Sequence, residues 1–441
     1  MNGFLGIDWG THSSKWAYQT GSGSPVIGEI WDSAVTSLDD RLLWFPLEER
    51  FQDSGREVAL KRKLIQDPDQ SFWEGSRPKI KVTLGEAVVF SLLALLLDAD
   101  GVLSARRKTL KSDSLTVRFS HPNWISEENV RALGCFRDAA VVALSIFLEG
   151  IEFKRTRGIE VERKKLRDAI ERHRPIRDRI PSFPEYYDHS RFESCARGVL
   201  QKVSWELVFE SCAAGFPYVI QGERELLEAP ITQLPAHRRV RKLLVVDVGA
   251  GSTDAGYLLR TIRPRDSQRV MRPLLIWLPA ANALEVAGQW LTKRILADLR
   301  QQGRRVTDAE AEEFKLGSPQ LWSAKPYLGE WNKLIADHVG DYVGTICDGV
   351  CLPNSPPLEI VVTGGSSAVT SMRKEVLRHV QQALRDRGLS EDLSNATALT
   401  EASSLGGLGR AYQDIEIAQL AVCLGASDPH LAELKAYPTG L

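Results

Sequence analysis

An α/β chain of two related lobes is what the sequence predicts, and three glycine-bearing stretches predict it. The first is Gly6–Lys15 (Gly-Ile-Asp-Trp-Gly-Thr-His-Ser-Ser-Lys), close to the N-terminus. The second is Leu244–Asp254 (Leu-Val-Val-Asp-Val-Gly-Ala-Gly-Ser-Thr-Asp). Each has an apolar strand, an Asp, a small-residue turn and a second strand leading away, Trp16–Tyr18 in one and Ala255–Leu259 in the other. The third is the β-rich run Leu358–Thr363, followed by Gly364, Gly365, Ser366 and Ser367. An amphipathic helix is expected next, from about 369 to 384, with Met372, Val376, Val380 and Leu384 at helical spacing. One acid-tipped hairpin is a common turn. Two of them, one opening each half of the chain, imply paired lobes meeting around a shared ligand.

The residue types in these turns suit phosphate. Glycine turns tightly and lets the backbone approach a ligand, and successive backbone N–H groups form a concave nest of donors. Gly10, Thr11, His12, Ser13 and Lys15 line the first turn; Gly249, Ala250, Gly251 and Ser252 line the second. Thr11, Ser13, Ser14, Ser252 and Thr253 add hydroxyl donors. Asp8, Asp247 and Asp254 would repel phosphate unless Mg²⁺ lay between, and Mg²⁺ favours carboxylates, retained waters and substrate phosphates. The strand, glycine pair and helix start at Gly364, Gly365 and Ser366 offer a site for a ribose or phosphate edge.

With these motifs in this order the chain resembles the actin-like ATPase superfamily, and within it the ATPase domain of the heat shock protein 70 (DnaK-like) family. Further stretches carry the likeness. Val117–Trp124, a strand ending in a proline turn, leads into a helix bearing Val130, Leu133, Cys135, Phe136 and Ala139, like the chaperones' first connecting segment. Phe209–Gly215 resembles their Glu-Pro-Thr-Ala-Ala-Ala run, with Glu210 on the catalytic glutamate. Ala309–Gly317 resembles the Glu-x-x-Lys helix that contacts adenosine, with Glu312 and Lys315 as the pair. In Leu60–Ile65 both Lys61 and Lys63 fit the chaperone lysine, and Lys63 is taken as the catalytic candidate. The departures are His12, Ser211 after the glutamate, and Ala250 within a glycine triplet.

The resemblance implies a two-lobed, ribonuclease H-like fold, each lobe a mixed five-stranded sheet flanked by helices. Lobe I would span 1–240 and lobe II 241–441, the latter closing on a short C-terminal helical cap. It implies ATP/ADP as ligand, Mg²⁺ held through waters by Asp8 and Asp247, and Glu210 orienting the attacking water. A peptide-binding β-sandwich needs ~100 residues, so the expectation is a nucleotide-binding domain without that module.

Composition agrees with such an enzyme. The chain has 441 residues, 56 Lys and Arg against 57 Asp and Glu, and six cysteines. A net charge near zero argues against bulk-charge binding of nucleic acid. The apolar runs Ala87–Leu97 and Ala139–Leu148 are shorter than the ~20 residues of a membrane span, and no leader pattern precedes the first strand. Scattered cysteines suit a reducing compartment, and Cys347 and Cys351 alone make a zinc site improbable. The expected location is the cytoplasm.

The interval from about 150 to 200 departs from the chaperone plan. Residues 151–200 hold thirteen Lys and Arg against nine Asp and Glu, and Val161, Lys165, Leu166, Ala169 and Ile170 suggest a charged helix ended by Pro175, Pro181 and Pro184. It reads either as a solvated helical hairpin or as a docking surface. Three functions follow: an ATPase switch acting on a partner protein in trans, an actin-like filament or cytoskeletal adaptor that self-associates, and a small-molecule kinase. The kinase ranks last because no Asn-Asp or similar acceptor pair accompanies Glu210.

Overall fold

The computed structural model describes residues 3–21, 24–38, 40–45, 56–57, 60–66, 82–106, 110, 115–124, 129–173, 203–220, 240–264, 271–279, 283–307, 310–311, 314–315, 319–322, 325–350, 358–366, 369–387, 398–400, 414–429, 431 and 434–436. The chain forms two compact units, Met1–Ala213 with Val422–Leu431, and Ala214–Ala421 with Ala432–Leu441.

The first unit contains strands β1 (Gly3–Trp9), β2 (Ser13–Thr20), β3 (Val26–Ile27), β4 (Trp31–Asp32), β5 (Val35–Leu38), β6 (Arg41–Trp44), β7 (Arg56–Glu57), β8 (Leu115–His121), β9 (Lys154–Arg155), β10 (Ile159–Glu162) and β11 (Ser204–Phe209). Its helices are α1 (Leu60–Gln66), α2 (Leu84–Ala105), α3 (Val130–Glu149), α4 (Arg163–His173) and the first turn of α5 (Glu210–Ile220). The main sheet runs β11-β8-β1-β2-β3. β1 is antiparallel to β2 and parallel to β8, which is parallel to β11.

The second unit repeats that plan with β12 (Val240–Val248), β13 (Thr253–Pro264), β14 (Met271–Pro279), β15 (Leu358–Thr363), β16 (Ala398–Thr400) and β17 (Leu434–Ala436). The order is β16-β15-β12-β13-β14-β17, with β12 to β14 antiparallel and β15 and β16 parallel to β12. Its helices are α6 (Gly288–Gln301), α7 (Pro319–Trp322), α8 (Pro326–Val350), α9 (Thr370–Asp386) and the start of α10 (Asp414–Ala426), whose residues 422–426 belong to the first unit. Numbered within each unit, the core order 3-2-1-4-5 with strand 2 reversed occurs twice. This is the ribonuclease H-like strand order that the resemblance implied.

Each sheet carries one strand beyond the expected five: β4 pairs with β2, and β17 with β14. A third sheet, β7-β5-β6-β10-β9, was not foreseen. It changes the reading of the 150–200 interval. Val161 lies in a strand paired with Leu42, the helix begins only at Arg163, and Leu166, Ala169 and Ile170 are buried in the main core of the first unit. The start of the interval is therefore part of the core. Its remainder, 174–200 with the three prolines, lies outside the described residues.

Helix α2 explains much of the first unit. Thr83 caps it in a reciprocal box with Glu86, a pairing that satisfies two otherwise orphan N–H groups. The apolar run expected to be short extends in the structure to 22 residues, long and apolar enough to cross a membrane by length and composition, with 78% of its apolar window buried. A helix apolar on every side is what a helix inside a protein core requires. At β8, buried Arg118 bonds Glu206 at 2.6 Å and the carbonyls of Ala426 and Asp428 at 3.1 and 2.5 Å, capping the end of α10.

Candidate functional site

In the first unit the candidate residues gather at the C-terminal ends of three neighbouring parallel strands, where open α/β sheets bind ligands. Asp8 ends β1, His121 ends β8, and Glu210 follows Phe209 at the end of β11 as the first residue of α5. All three are buried. The turn after Asp8 depends on Gly10, since a Cβ there would lie 2.2 Å from the carbonyl oxygen of Ser13. Asp8 and Lys15 are opposite partners across β1 and β2, and Lys15 Nζ bonds Asp8 Oδ2 at 2.9 Å. Gly10, Thr11, His12 and Ser13 remain half-buried at the tip. Ser14 is turned inward, its hydroxyl 3.0 Å from that of Ser33.

The lysine that reaches Glu210 is Lys61. Its Nζ bonds Glu210 Oε1 as a buried ion pair. Lys63, the candidate chosen from sequence, is half-buried two positions along α1. Two helical residues are about 200° of rotation, so side chains there point to opposite faces. Beside the pair, Ser211 Oγ bonds Asn123 Oδ1 at 3.1 Å.

His121 was missed in the sequence, where a single histidine in an apolar strand carries no signal. Its Nδ1 lies 2.7 Å from the carbonyl oxygen of Pro122. A carbonyl only accepts, so Nδ1 carries the proton and Nε2 keeps its lone pair. Its ring lies against Phe209, centroids 4.7 Å apart. Burial, aided by the Lys61 charge and opposed by the Pro122 hydrogen bond, pushes the imidazole down to about 4 from 6.5. The unfolded chain therefore takes up a proton between those values that the folded chain refuses. The fold loses stability as pH falls through that window, by up to about 3 kcal/mol. Urea unfolding at pH 7 and 4.5 checks this: His121→Gln is expected to lose about 2–3 kcal/mol less than the parent protein, and equal losses would contradict it.

The second unit repeats the hairpin with a different charge pattern. Asp247 and Asp254 are opposite partners across β12 and β13, and both are buried. Like charges directly opposite destabilise a strand pair, an arrangement that a cation relieves. Ser252 Oγ bonds Asp254 Oδ2 at 2.9 Å, whereas Thr253 turns away to the carbonyl of Val286 at 2.8 Å. The N–H groups of Gly288 and Gln289, at the start of α6, bond the carbonyls of Gly249 and Ala250 at 3.0 and 2.7 Å. These two bonds tie the carbonyls of the turn to the start of the helix.

The third motif folds over this turn. Gly364 has φ +88°, and a Cβ there would meet Asp247 Oδ1 and the Val248 carbonyl at 2.5 Å. Only glycine combines that backbone conformation with that approach. Ser366 donates its N–H to Val248 O at 3.1 Å and its hydroxyl to Gly249 O at 3.4 Å, and Gly365 between them is half-buried. Lys315 is buried and bonds Gly288 O at 3.3 Å and Thr292 Oγ1 at 3.1 Å. The structure thus brings Asp247, Gly249, Ala250, Ser252, Asp254, Gly364, Ser366 and Lys315 into one region. Glu312 lies outside the described residues.

Asp247, with Asp254 opposite it across the hairpin, offers carboxylate oxygens of the kind a divalent cation takes, and the Asp8 carboxylate, which also accepts from Lys15, offers another. Among the described residues no group of three or more His, Cys, Asp or Glu side chains could hold a metal by itself.

No family model matches the chain, and no curated protein does. Among solved structures, the MamK double helical filament aligns over 97% of this chain and 99% of its own, at 13% identity and TM-score 0.39. A ROK hexokinase from Thermus thermophilus aligns over 96% of both chains, at 12% identity and TM-score 0.35. ParM from Bacillus thuringiensis, in apo form, covers 98% and 97%, at 9% identity and TM-score 0.31. Identity and TM-score are both low, and the fold assignment stands on the strand order of the chain itself.

Proposed function

We propose that the protein binds MgATP and hydrolyses it. The observation that carries this reading is the buried Lys61–Glu210 ion pair at the strand ends beside the Asp8–Lys15 hairpin. Buried ion pairs contribute little to stability compared with apolar packing, and this one lies at strand ends, where open α/β sheets bind ligands. In this account the turns at 10–13 and 249–252 bind phosphate oxygens through backbone N–H groups, and Lys15 adds a positive charge. Glu210, fixed by Lys61 and by its place at a helix N-terminus, orients the attacking water, the positioning task that dominates phosphoryl transfer. Asp247, with Asp254 opposite, and Asp8 through water would hold Mg²⁺, which when bound neutralises phosphate charge. Gly364, Gly365, Ser366, Lys315 and, by the resemblance, Glu312 serve the nucleoside.

The output we propose is a nucleotide-dependent conformational state read by a protein contact. Leu38, at the end of β5, and Phe153, just before β9, are 48% and 40% exposed and line one groove, and large exposed apolar side chains grouped together mark interaction surfaces. The contact is either a second copy of this chain, as in a filament, or a partner in trans, as in a chaperone-like switch. Light scattering with MgATP across protein concentrations separates them. Self-assembly predicts a critical concentration above which scattering rises. A flat response at every concentration would contradict self-assembly and leave the partner in trans.

A further inference from the structure

Helix α2 carries two polar side chains into an otherwise apolar interface. Ser91 and Asp98 are seven residues apart, two turns along one helix face. Ser91 Oγ accepts from Trp9 Nε1 at 2.9 Å, and Asp98 Oδ2 accepts from Trp16 Nε1 at 2.7 Å. On the hairpin, Trp9 and Trp16 directly follow Asp8 and Lys15, and strand alternation turns them to the opposite face. The helix therefore grips the underside of the strand pair that opposes Asp8 to Lys15.

Asp98 does more than hold one indole. It also accepts from Trp31 Nε1 at 2.9 Å, on a strand paired to β2, and its Oδ1 accepts from Arg155 at 2.6 Å. The Asp98 side chain is wholly buried, whereas that of Arg155 is 40% exposed on the edge strand β9. Gly101 makes the approach possible, since a Cβ there would lie 2.7 Å from an Arg155 nitrogen. Two indole N–H groups orient a buried carboxylate but do not cancel its charge. The guanidinium does.

We propose that Arg155 is a positioning residue for nucleotide binding: it holds the Asp98 carboxylate, Asp98 holds Trp16, and Trp16 sets the register of Lys15 against Asp8. This rests on the nucleotide reading above. A surface cation thereby controls a phosphate-binding hairpin that it does not touch.

The test compares MgATP affinity and the Trp16 indole N–H resonance, assigned with Trp16→Phe, across a set of variants. Arg155→Met is expected to weaken affinity about 10-fold, within the usual range for coupled sites, and to move the Trp16 resonance. Arg155→Lys is expected to recover most of the affinity. Arg157→Met, the same charge change on a neighbouring exposed side chain, is expected to alter neither readout. Asp98→Asn removes the charge that needs Arg155, so adding Arg155→Met to that background is expected to change affinity less than about twofold, the signature of a coupled pair. Unchanged affinity and resonance in Arg155→Met, or the full loss persisting in the Asp98→Asn background, would overturn the proposal. A parent protein that binds no MgATP would instead refute the nucleotide reading, while the Trp16 resonance still reports on the link.

Discussion

Replacing Glu210 with glutamine is expected to slow ATP turnover by roughly 10²-fold while leaving MgATP affinity within about threefold, the pattern for losing a positioned acid–base group. Glutamine keeps the shape and one hydrogen-bonding oxygen but loses the charge that both orients water and holds Lys61. Lys61→Met should match it in turnover. Because the pair is buried, removing either partner strands the other, and a loss of about 3–5 kcal/mol in stability accompanies such a break. Single-turnover rates and urea unfolding on the same preparations therefore belong together. The double variant Lys61→Met with Glu210→Gln should be more stable than the sum of the singles predicts and no faster than either. Lys63→Met should be near normal in both. Normal turnover in Glu210→Gln would remove that residue from the chemistry.

How much of this was legible in the sequence depends on how far apart the cooperating residues lie. The hairpins were readable because acid, turn and both strands sit within about a dozen consecutive residues, and the structure pairs Asp8 with Lys15 and Asp247 with Asp254 in register. Gly364 was readable for the same reason. The helix bearing Met372, Val376, Val380 and Leu384 was readable from its period, and those four side chains are buried. Lys61 and Lys63 were indistinguishable because the partner that separates them, Glu210, is 149 positions away. The small sheet escaped because its strands run only two to four residues, too short for alternation to register as a pattern. The Asp98 cluster joins residues 57 to 82 positions apart, and an aspartate inside an apolar helix looks like an isolated exception until its indole partners are seen. Ser14 and Thr253 show the reverse error. Both have the right chemistry and the right place in the motif, yet alternation along the strand turns their hydroxyls into the core.

The charge difference between the two hairpins leads to the second large effect. Asp8 lies opposite Lys15 across its hairpin, whereas Asp247 lies opposite Asp254 across the other. Asp247→Ala and Asp8→Ala should both weaken binding in magnesium, and Asp8→Ala should weaken it in chelator as well by freeing Lys15 from its place. Losses of 10²-fold or more are expected for each, about 3 kcal/mol or above. The most direct test is equilibrium titration of ATP into the parent protein, Asp8→Ala and Asp247→Ala, with magnesium and with chelator. One nucleotide per chain is expected for the parent protein, lost on changing either aspartate. One site that survives both substitutions at unchanged affinity would contradict it.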